Sequence, residues 1–244
     1  MKILFTDVER FPHDCWSWDI WQTNIPIGFI KHSGGLLCWA SKWYKKKQVT
    51  FRSLWDDAET YVSDAHKLMS EADAIVHYNG KAYDIKAYNV EFARLGLVPP
   101  APSKQIDLYR VVKQNFMLPS YSLAYVLRYF GLPQKLDTGG VELWVKAMAG
   151  DQKARNKMRK YNINDTKVLE PLYEKLRPWI KQHPNVNLYK AADGTPHCAT
   201  CGSTHLVSNG YRRTAVAAYR RLQCQDCGAW NHELKNKPEL RVGG

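Results

Sequence analysis

Cys198-Ala-Thr-Cys201-Gly and Cys224-Gln-Asp-Cys227-Gly are two Cys-x-x-Cys-Gly pairs with 22 residues between them. So short a stretch buries too little apolar surface to fold on a core alone, so a staple must hold it. Four thiolates at this spacing satisfy the tetrahedral preference of one Zn²⁺, and each glycine relieves strain just after the second sulfur. With all four positions sulfur, such an ion is structural and leaves no open site for catalysis. Cys15 and Cys38 stand apart from these pairs. The opening "MKILFTD" reads as a first strand rather than a leader, so the pairs read as a metal site in a reducing compartment, not as disulfides. Between the pairs, "HLVSNGYRRTAVAAYRRLQ" offers a turn at Asn209-Gly210 with strand-like flanks.

The first three quarters of the chain has the opposite character. "KILF" at 2–5 is a short apolar run of the kind a buried central strand needs. "LLCWASKWY" (36–44) and "QVTFRSL" (48–54) read as two strands joined at a lysine turn, and "AIVHYN" (74–79) as another. "QIDLYRVV" carries a strand end at Ile106 and Asp107. Helices are expected over 56–70, capped by Asp56 or Asp57, over 84–96, over 120–131, and over about 151–178, where Pro171 should interrupt or kink the last. Strands alternating with helices predict an α/β fold. The run "HPNVNLYKAADGTPH" holds two prolines and a glycine among polar residues and reads as a linker. The expected organisation is a domain over 1–183, a linker over 184–196, the cysteine module over 197–233 and a flexible tail over 234–244. No apolar run reaches the roughly 20 residues of a membrane span, so a cytoplasmic protein without a membrane partner is expected.

Charge narrows the partner. Lys plus Arg number 35 against 23 Asp plus Glu, a formal net charge of +12. Such an excess favours a polyanion, and nucleic acid above others. Basic runs lie at "KWYKKK" (42–47) and "KARNKMRK" (153–160). In the cysteine module, Arg212, Arg213, Arg220 and Arg221 interleave with Tyr211 and Tyr219 and could grip phosphates while rings stack on bases. Trp16, Trp18 and Trp21 in "CWSWDIW" read as core or loop packing rather than a stacking platform.

Four acids on separated motifs carry the chemistry. Asp7 and Glu9 are two apart, so a strand would turn both carboxylates to one face, at the end where open α/β sheets place their sites. Asp84 falls in the first turn of the helix after strand 74–79. Asn79 ahead of it could cap that turn or bond substrate, and Gly80 permits a tight bend or a close approach. Tyr161 and Asp165 are four apart, neighbours on a helix face. Gathered at one point, four oxygen ligands would hold two hard divalent cations, Mg²⁺ or Mn²⁺, a known way of hydrolysing phosphodiesters.

In this order, "DVE", "NGKAYD" and "YNIND" resemble the three motifs of the DEDD superfamily of 3′–5′ exonucleases, DnaQ-like proteins with a ribonuclease-H-like fold. Tyrosine four before the last Asp resembles the DEDDy subgroup. "DLYRVVK" and "SYSLAYVLRYFGL" are similar to family segments between motifs two and three. The likeness covers roughly residues 1–180 and is strongest to stand-alone bacteriophage exonucleases related to the proofreading domain of family B DNA polymerases. One departure is Tyr83, where the family often has Phe. The cysteine module resembles a zinc ribbon. The resemblance implies a ribonuclease-H-like mixed sheet flanked by helices and a small C-terminal zinc ribbon. It implies a catalytic set of Asp7, Glu9, Asp84, Tyr161 and Asp165, in which Asp7 bridges both metals, Glu9 and Asp165 complete the site that activates water, Asp84 holds the other ion and Tyr161 orients the water. It favours DNA over RNA, in a bacterial or phage-infected cell, with a replication or repair protein as partner of the ribbon. No residue decides the 2′-hydroxyl question. Two other readings stay open: a structure-specific endonuclease on branched or nicked nucleic acid, and a nucleic-acid or protein binding module with vestigial hydrolysis.

Overall fold

Ile3, Phe5, Asp7 and Glu9 alternate with Leu4, Thr6 and Val8 along a single strand, and this alternation organises the larger part of the molecule. The computed structural model describes residues 1–21, 24–215 and 217–233. It divides into two compact units, Lys2–Leu172 and the chain from Tyr173 onward with Met1. In the first unit, β1 (Ile3–Arg10) is followed by a small ribbon of β2 (Asp14–Cys15) and β3 (Ile30–His32), then by β4 (Leu36–Trp43) and β5 (Val49–Ser53). Next come α1 (Thr60–Glu71), β6 (Ala74–His77), α2 (Asp84–Arg94), β7 (Lys104–Asp107), α3 (Leu108–Asn115), α4 (Leu123–Tyr129), α5 (Glu142–Met148) and α6 (Gln152–Leu176). The main sheet has the order β5-β4-β1-β6-β7. β1, β6 and β7 are parallel, while β4 runs antiparallel to β1 and to β5.

Helices cover both faces, as the element pattern predicts. Leu4, Trp39 and Ile75 pack with Tyr61, Val62, Ala65 and Met69 of α1 and with Tyr88 and Phe92 of α2. The other face carries Cys38, Ala40 and Phe51 against Leu143 and Ala147 of α5 and Ala154 and Met158 of α6. Buried on both sides, β4 reads as a continuous apolar run rather than an alternation. Thr6 joins the layers through hydroxyl bonds of 2.8 Å to Ser41 and to Tyr88.

Several expectations need correction. α6 is not interrupted at Pro171 and continues to Leu176. Proline inside a helix costs roughly 3 kcal/mol, but burying Val168, Leu169 and Leu172 returns about 1.5–3 kcal/mol each. α1 begins at Thr60 rather than at 56, and the Asp57 carboxylate accepts the backbone N–H of Glu59 and of Thr60 at its entry. Trp16, Trp18 and Trp21 do not reach the core and are 62%, 90% and 81% exposed. Lys42 is no solvated charge: it is buried and paired with Glu170. The β2–β3 ribbon and the helices α3 and α5 were not foreseen; α5 is only seven residues long, too short for a clear period.

In the second unit, β8 (Leu206–Arg213), β9 (Ala218–Cys224) and β10 (Trp230–His232) form an antiparallel sheet in the order β10-β9-β8. Asn209-Gly210 is not the hairpin turn. It is an irregularity inside β8 between Ser208 and Tyr211, with Gly210 at φ +69°. The reversal comes later, where Thr214 donates its N–H to the Ala217 carbonyl. Asn-Gly suits a bulge that needs positive φ as well as it suits a turn. The tail expected over 234–244 lies outside the described residues. Among the described residues, no helix is long and apolar enough to cross a membrane.

Candidate active site and cysteine centre

Register decides which face of β1 carries the acids. Asp7 pairs with Ala40 and Glu9 with Cys38, residues on the side covered by α5 and α6. α6 presents Asp165 to that side one turn after Tyr161. Carboxylate oxygens of Asp7, Glu9 and Asp165 therefore lie within 4.8 Å of one another. Asp84 is not part of that trio. It stands at the start of α2, in the opposite layer, and its Oδ1 accepts the Val8 N–H at 3.0 Å. It is nevertheless the neighbouring charge that acts most strongly on Asp7.

Three residues around the acids escaped the sequence reading. Asn162 is fully buried and donates to Asp7 Oδ2 at 2.9 Å and to the Asp7 carbonyl at 3.2 Å. Its place inside "YNIND", one turn after the buried Met158, was the available signal. Lys135 lies 2.7 Å from Asp165 Oδ2 and 5.2 Å from the centroid of the Tyr161 ring. It comes from a polar loop between α4 and α5, where no local pattern marks it. Trp144 of α5 stands beside the Glu9 carboxyl, which it draws down against burial, and meets the Tyr161 ring edge-on at 6.2 Å.

The loop after β6 brings in Asp84 under constraint. Asn79 sits at φ +62°, a conformation non-glycine residues rarely adopt. Its N–H is held by Asp107 Oδ1 at 2.8 Å. The Gly80 N–H donates to His77 Nδ1 at 3.1 Å. The tight bend is thus made at Asn79, while glycine at 80 serves a close approach: a Cβ there would lie 2.7 Å from the His77 ring and 2.8 Å from Asp84 Oδ2. Asn79 also lines an open cleft of about 540 Å³ with Tyr78, Tyr109 and Tyr121.

Burial and mutual repulsion push these acids upward. Burial, then Asp84, Glu9 and Asp165, hold the Asp7 carboxyl well above the ordinary range. Burial and Asp165 push Glu9 up to about 8. Burial raises Asp84 to about 6, opposed by the Val8 N–H, and burial raises Asp165 against the pull of Lys135. Burial would lower the Lys135 ammonium, yet Asp165 holds it above its usual value. Asp165 Oδ1 is buried with no hydrogen-bond donor among the described residues. A buried carboxylate oxygen without a donor, beside two further acids, fits a cation.

These shifts set a pH dependence. Carboxyls whose folded pKa exceeds the unfolded value favour the folded state at low pH and lose that contribution as pH rises through the folded value. With Glu9 near 8 and Asp84 near 6, the metal-free protein should lose thermal stability between about pH 5 and 9. Mg²⁺ or Mn²⁺ should raise the melting temperature more at pH 8.5 than at pH 5.5. Calorimetry of the parent and of Glu9→Gln checks this: the variant's melting temperature should fall less with pH, and an equally steep fall would refute the assignment.

In the second unit, the sulfurs of Cys198, Cys201, Cys224 and Cys227 lie within 4.8 Å of one another. Cys198 and Cys227 are 3.7 Å apart, and Cys201 and Cys224 3.6 Å. A disulfide would need about 2.05 Å. Four thiolates at about 2.3 Å from one ion stand roughly 3.8 Å apart along each edge of the tetrahedron. Asn231 Nδ2 donates to Cys198 Sγ at 3.4 Å and, with the Cys201 and Thr200 N–H groups, draws the Cys198 thiol down to about 7 against its burial. The cluster can hold a metal. Arg212, Arg213, Arg220 and Arg221 lie on β8 and β9, all exposed.

The sequence profile of the RNase_H superfamily matches residues 31–177, a segment that contains Asp84, Tyr161 and Asp165 and begins after Asp7 and Glu9. No match was found among curated proteins. Among solved structures, the family B DNA polymerase of the hyperthermophilic archaeon Pyrobaculum calidifontis is similar in fold. The TM-score is 0.55 at 19% identity, over 72% of this chain and 24% of the polymerase. The chain therefore spans about a quarter of that protein's length, and the likeness is one of fold. With the profile covering more than half of the chain, on a mixed sheet flanked by helices, the protein belongs to the RNase_H superfamily.

Proposed function

We propose that this protein is a metal-dependent nuclease of the DEDDy type that removes nucleotides from the 3′ end of nucleic acid, DNA ahead of RNA. The observation that carries the reading is the trio of Asp7, Glu9 and Asp165, with Asp84 beside it and a donor-free oxygen on Asp165. The superfamily match supports nuclease chemistry, and Tyr161 one turn before Asp165 supports the subgroup.

Bound in pairs, Mg²⁺ or Mn²⁺ would make water nucleophilic at neutral pH and stabilise negative charge on the leaving oxygen. Asp7 would serve both ions, Glu9 and Asp165 one of them and Asp84 the other. Asn162 holds Asp7 by one bond to its carboxylate and one to its backbone carbonyl, and Trp144 stands beside Glu9. The Tyr161 phenol, raised by burial and by Asp165, stays protonated and able to orient water. Lys135 offsets one negative charge beside Asp165. In the reaction, a water oxygen bonds to phosphorus, the bond from phosphorus to O3′ breaks, and the 3′ oxygen leaves with a proton. The four-cysteine cluster takes one structural Zn²⁺, in keeping with its tetrahedral spacing.

A digest of oligonucleotides labelled at the 5′ end, single- and double-stranded, of DNA and of RNA, tests the reading with Mn²⁺ present. A ladder shortening from the 3′ end is expected. One internal cut would replace it with the endonuclease reading, and a mobility shift with no cleavage would leave a binding module.

A further inference from the structure

The small sheet of the second unit has two unlike faces. Cross-strand partners share a face, and neighbours along a strand alternate. Leu206 pairs with Cys224, and both pack in the cysteine cluster. Asn231 of β10 turns to the same side, where it donates to Cys198. The residues on either side of Asn231, Trp230 and His232, therefore point away from the cysteines. They share that outer face with Gln223 and Arg221, their partners on β9. Tyr219 follows by alternation, and Arg212 by its pairing with Tyr219.

The outer face is built of rings and guanidinium groups in contact. The Arg221 guanidinium lies over the Trp230 ring, 5.4 Å from its centroid. The Tyr219 ring meets the His232 ring edge-on at 5.8 Å. Trp230 is 52% exposed, and Arg212, Arg221 and His232 are also open to solvent. No carboxylate stands among the paired positions of this face. Arg213, Arg220 and Tyr211 belong to the other face, so the four arginines of the module do not act as one patch.

We infer that the face formed by Arg212, Tyr219, Arg221, Trp230 and His232 binds single-stranded nucleic acid, with unpaired bases stacked on its rings and phosphates on its arginines. This deepens the nuclease reading, on which it rests for its biological use, by naming the form of nucleic acid the second unit takes. Flat rings bind any base because every base offers a π face, and a guanidinium stacked on tryptophan extends that platform. Tyr219 and Gln223, the Trp230 partner, are four residues apart on β9, so the face from Tyr219 to Trp230 spans roughly 13 Å along the strand, with His232 and Arg221 between them. That span suits several successive nucleotides of an extended chain. Bases inside a duplex are already stacked and cannot use it, so the face discriminates against double strands.

Fluorescence anisotropy of a labelled 20-nucleotide single strand and of its duplex tests this, using the full zinc-loaded chain with Asp7→Asn to block hydrolysis. Trp230→Leu and Tyr219→Leu should each weaken single-strand binding about tenfold, within the range for losing one stacked ring. Trp230→Phe should keep most of the affinity, and Arg213→Gln on the opposite face should change it less than twofold. Single-strand affinity unchanged in both leucine variants overturns the inference, as does an equal loss on duplex. Zinc content of one ion per chain checks folding. If Trp230→Leu loses the ion, Arg221→Gln decides: a clear loss supports the face and parental affinity overturns it. A chain that binds through these residues while the parent degrades nothing would refute the nuclease reading and leave this one standing.

Discussion

Asp7→Asn is expected to lower the rate of 3′-end degradation about 10³-fold or more, since losing a ligand shared by both ions forfeits several kcal/mol of transition-state stabilisation. The same substitution should raise the melting temperature of the metal-free protein at pH 8. Asp7 stands against Asp84, Glu9 and Asp165 with burial added, so a neutral amide relieves repulsion that the ions otherwise relieve. Asn at this position can still accept from Asn162 through its carbonyl oxygen. Loss of activity with a gain in stability separates a catalytic ligand from a structural acid, whose removal would lower both. The measurements are the labelled digest and scanning calorimetry with and without Mn²⁺. Parental cleavage by the purified variant would end the proposed site, and Mn²⁺ stabilising the variant as much as the parent would remove Asp7 from the metal set.

Cys224→Ser should unfold the second unit and spare the first. Cys224 is 1% exposed and packs with Cys198 and Ala229, and that small cluster is the module's own core. A structural Zn²⁺ contributes about 10 kcal/mol or more to folding in comparable small modules, far beyond what three buried residues provide. Elemental analysis should fall from one zinc per chain to a small fraction. Hydrogen exchange should show amides of β8, β9 and β10 losing their protection, while those of β1, β4 and β6 keep theirs. Protected β8–β10 amides in a variant that carries no metal would contradict a zinc-held module. Because the sheet supplies the inferred strand-binding face, this variant should also lose single-strand affinity without touching the acids.

The parts of the fold that could be read early are those where a single local rule dominates. The period of α6 places Met158, Tyr161, Asp165 and Leu169 along related positions of one helix, and "YNIND" needed only that period to put its phenol and carboxylate one turn apart. Alternation along β1 put Asp7 and Glu9 on one face, and the Cys-x-x-Cys spacing marked a cluster able to hold a metal. Where two rules compete, local reading failed. Asn209-Gly210 suits a turn and a bulge equally, and only strand pairing over the whole hairpin chose the bulge. The prolyl penalty at Pro171 was visible in the chain, while the burial that outweighs it was not. Trp16, Trp18 and Trp21 carry the composition of a core, yet they stay exposed outside it.

Residue types and spacing by themselves determined the chemistry on offer: hard oxygen ligands in three motifs, soft sulfur ligands in two pairs, and a cationic surface. Folding in three dimensions decided which groups meet. The register of β1 against β4 turned Asp7 and Glu9 toward α6 rather than α2, and the strained bend at Asn79 carried Asp84 over from the opposite layer. Lys135, Asn162 and Trp144 joined the acids across long stretches of chain, and pairing of β9 with β8 and β10 sorted four similar arginines onto two faces. The physical reason is range. Helical and strand periods act within a few residues, whereas desolvation and Coulomb forces act through space on whatever packing brings close.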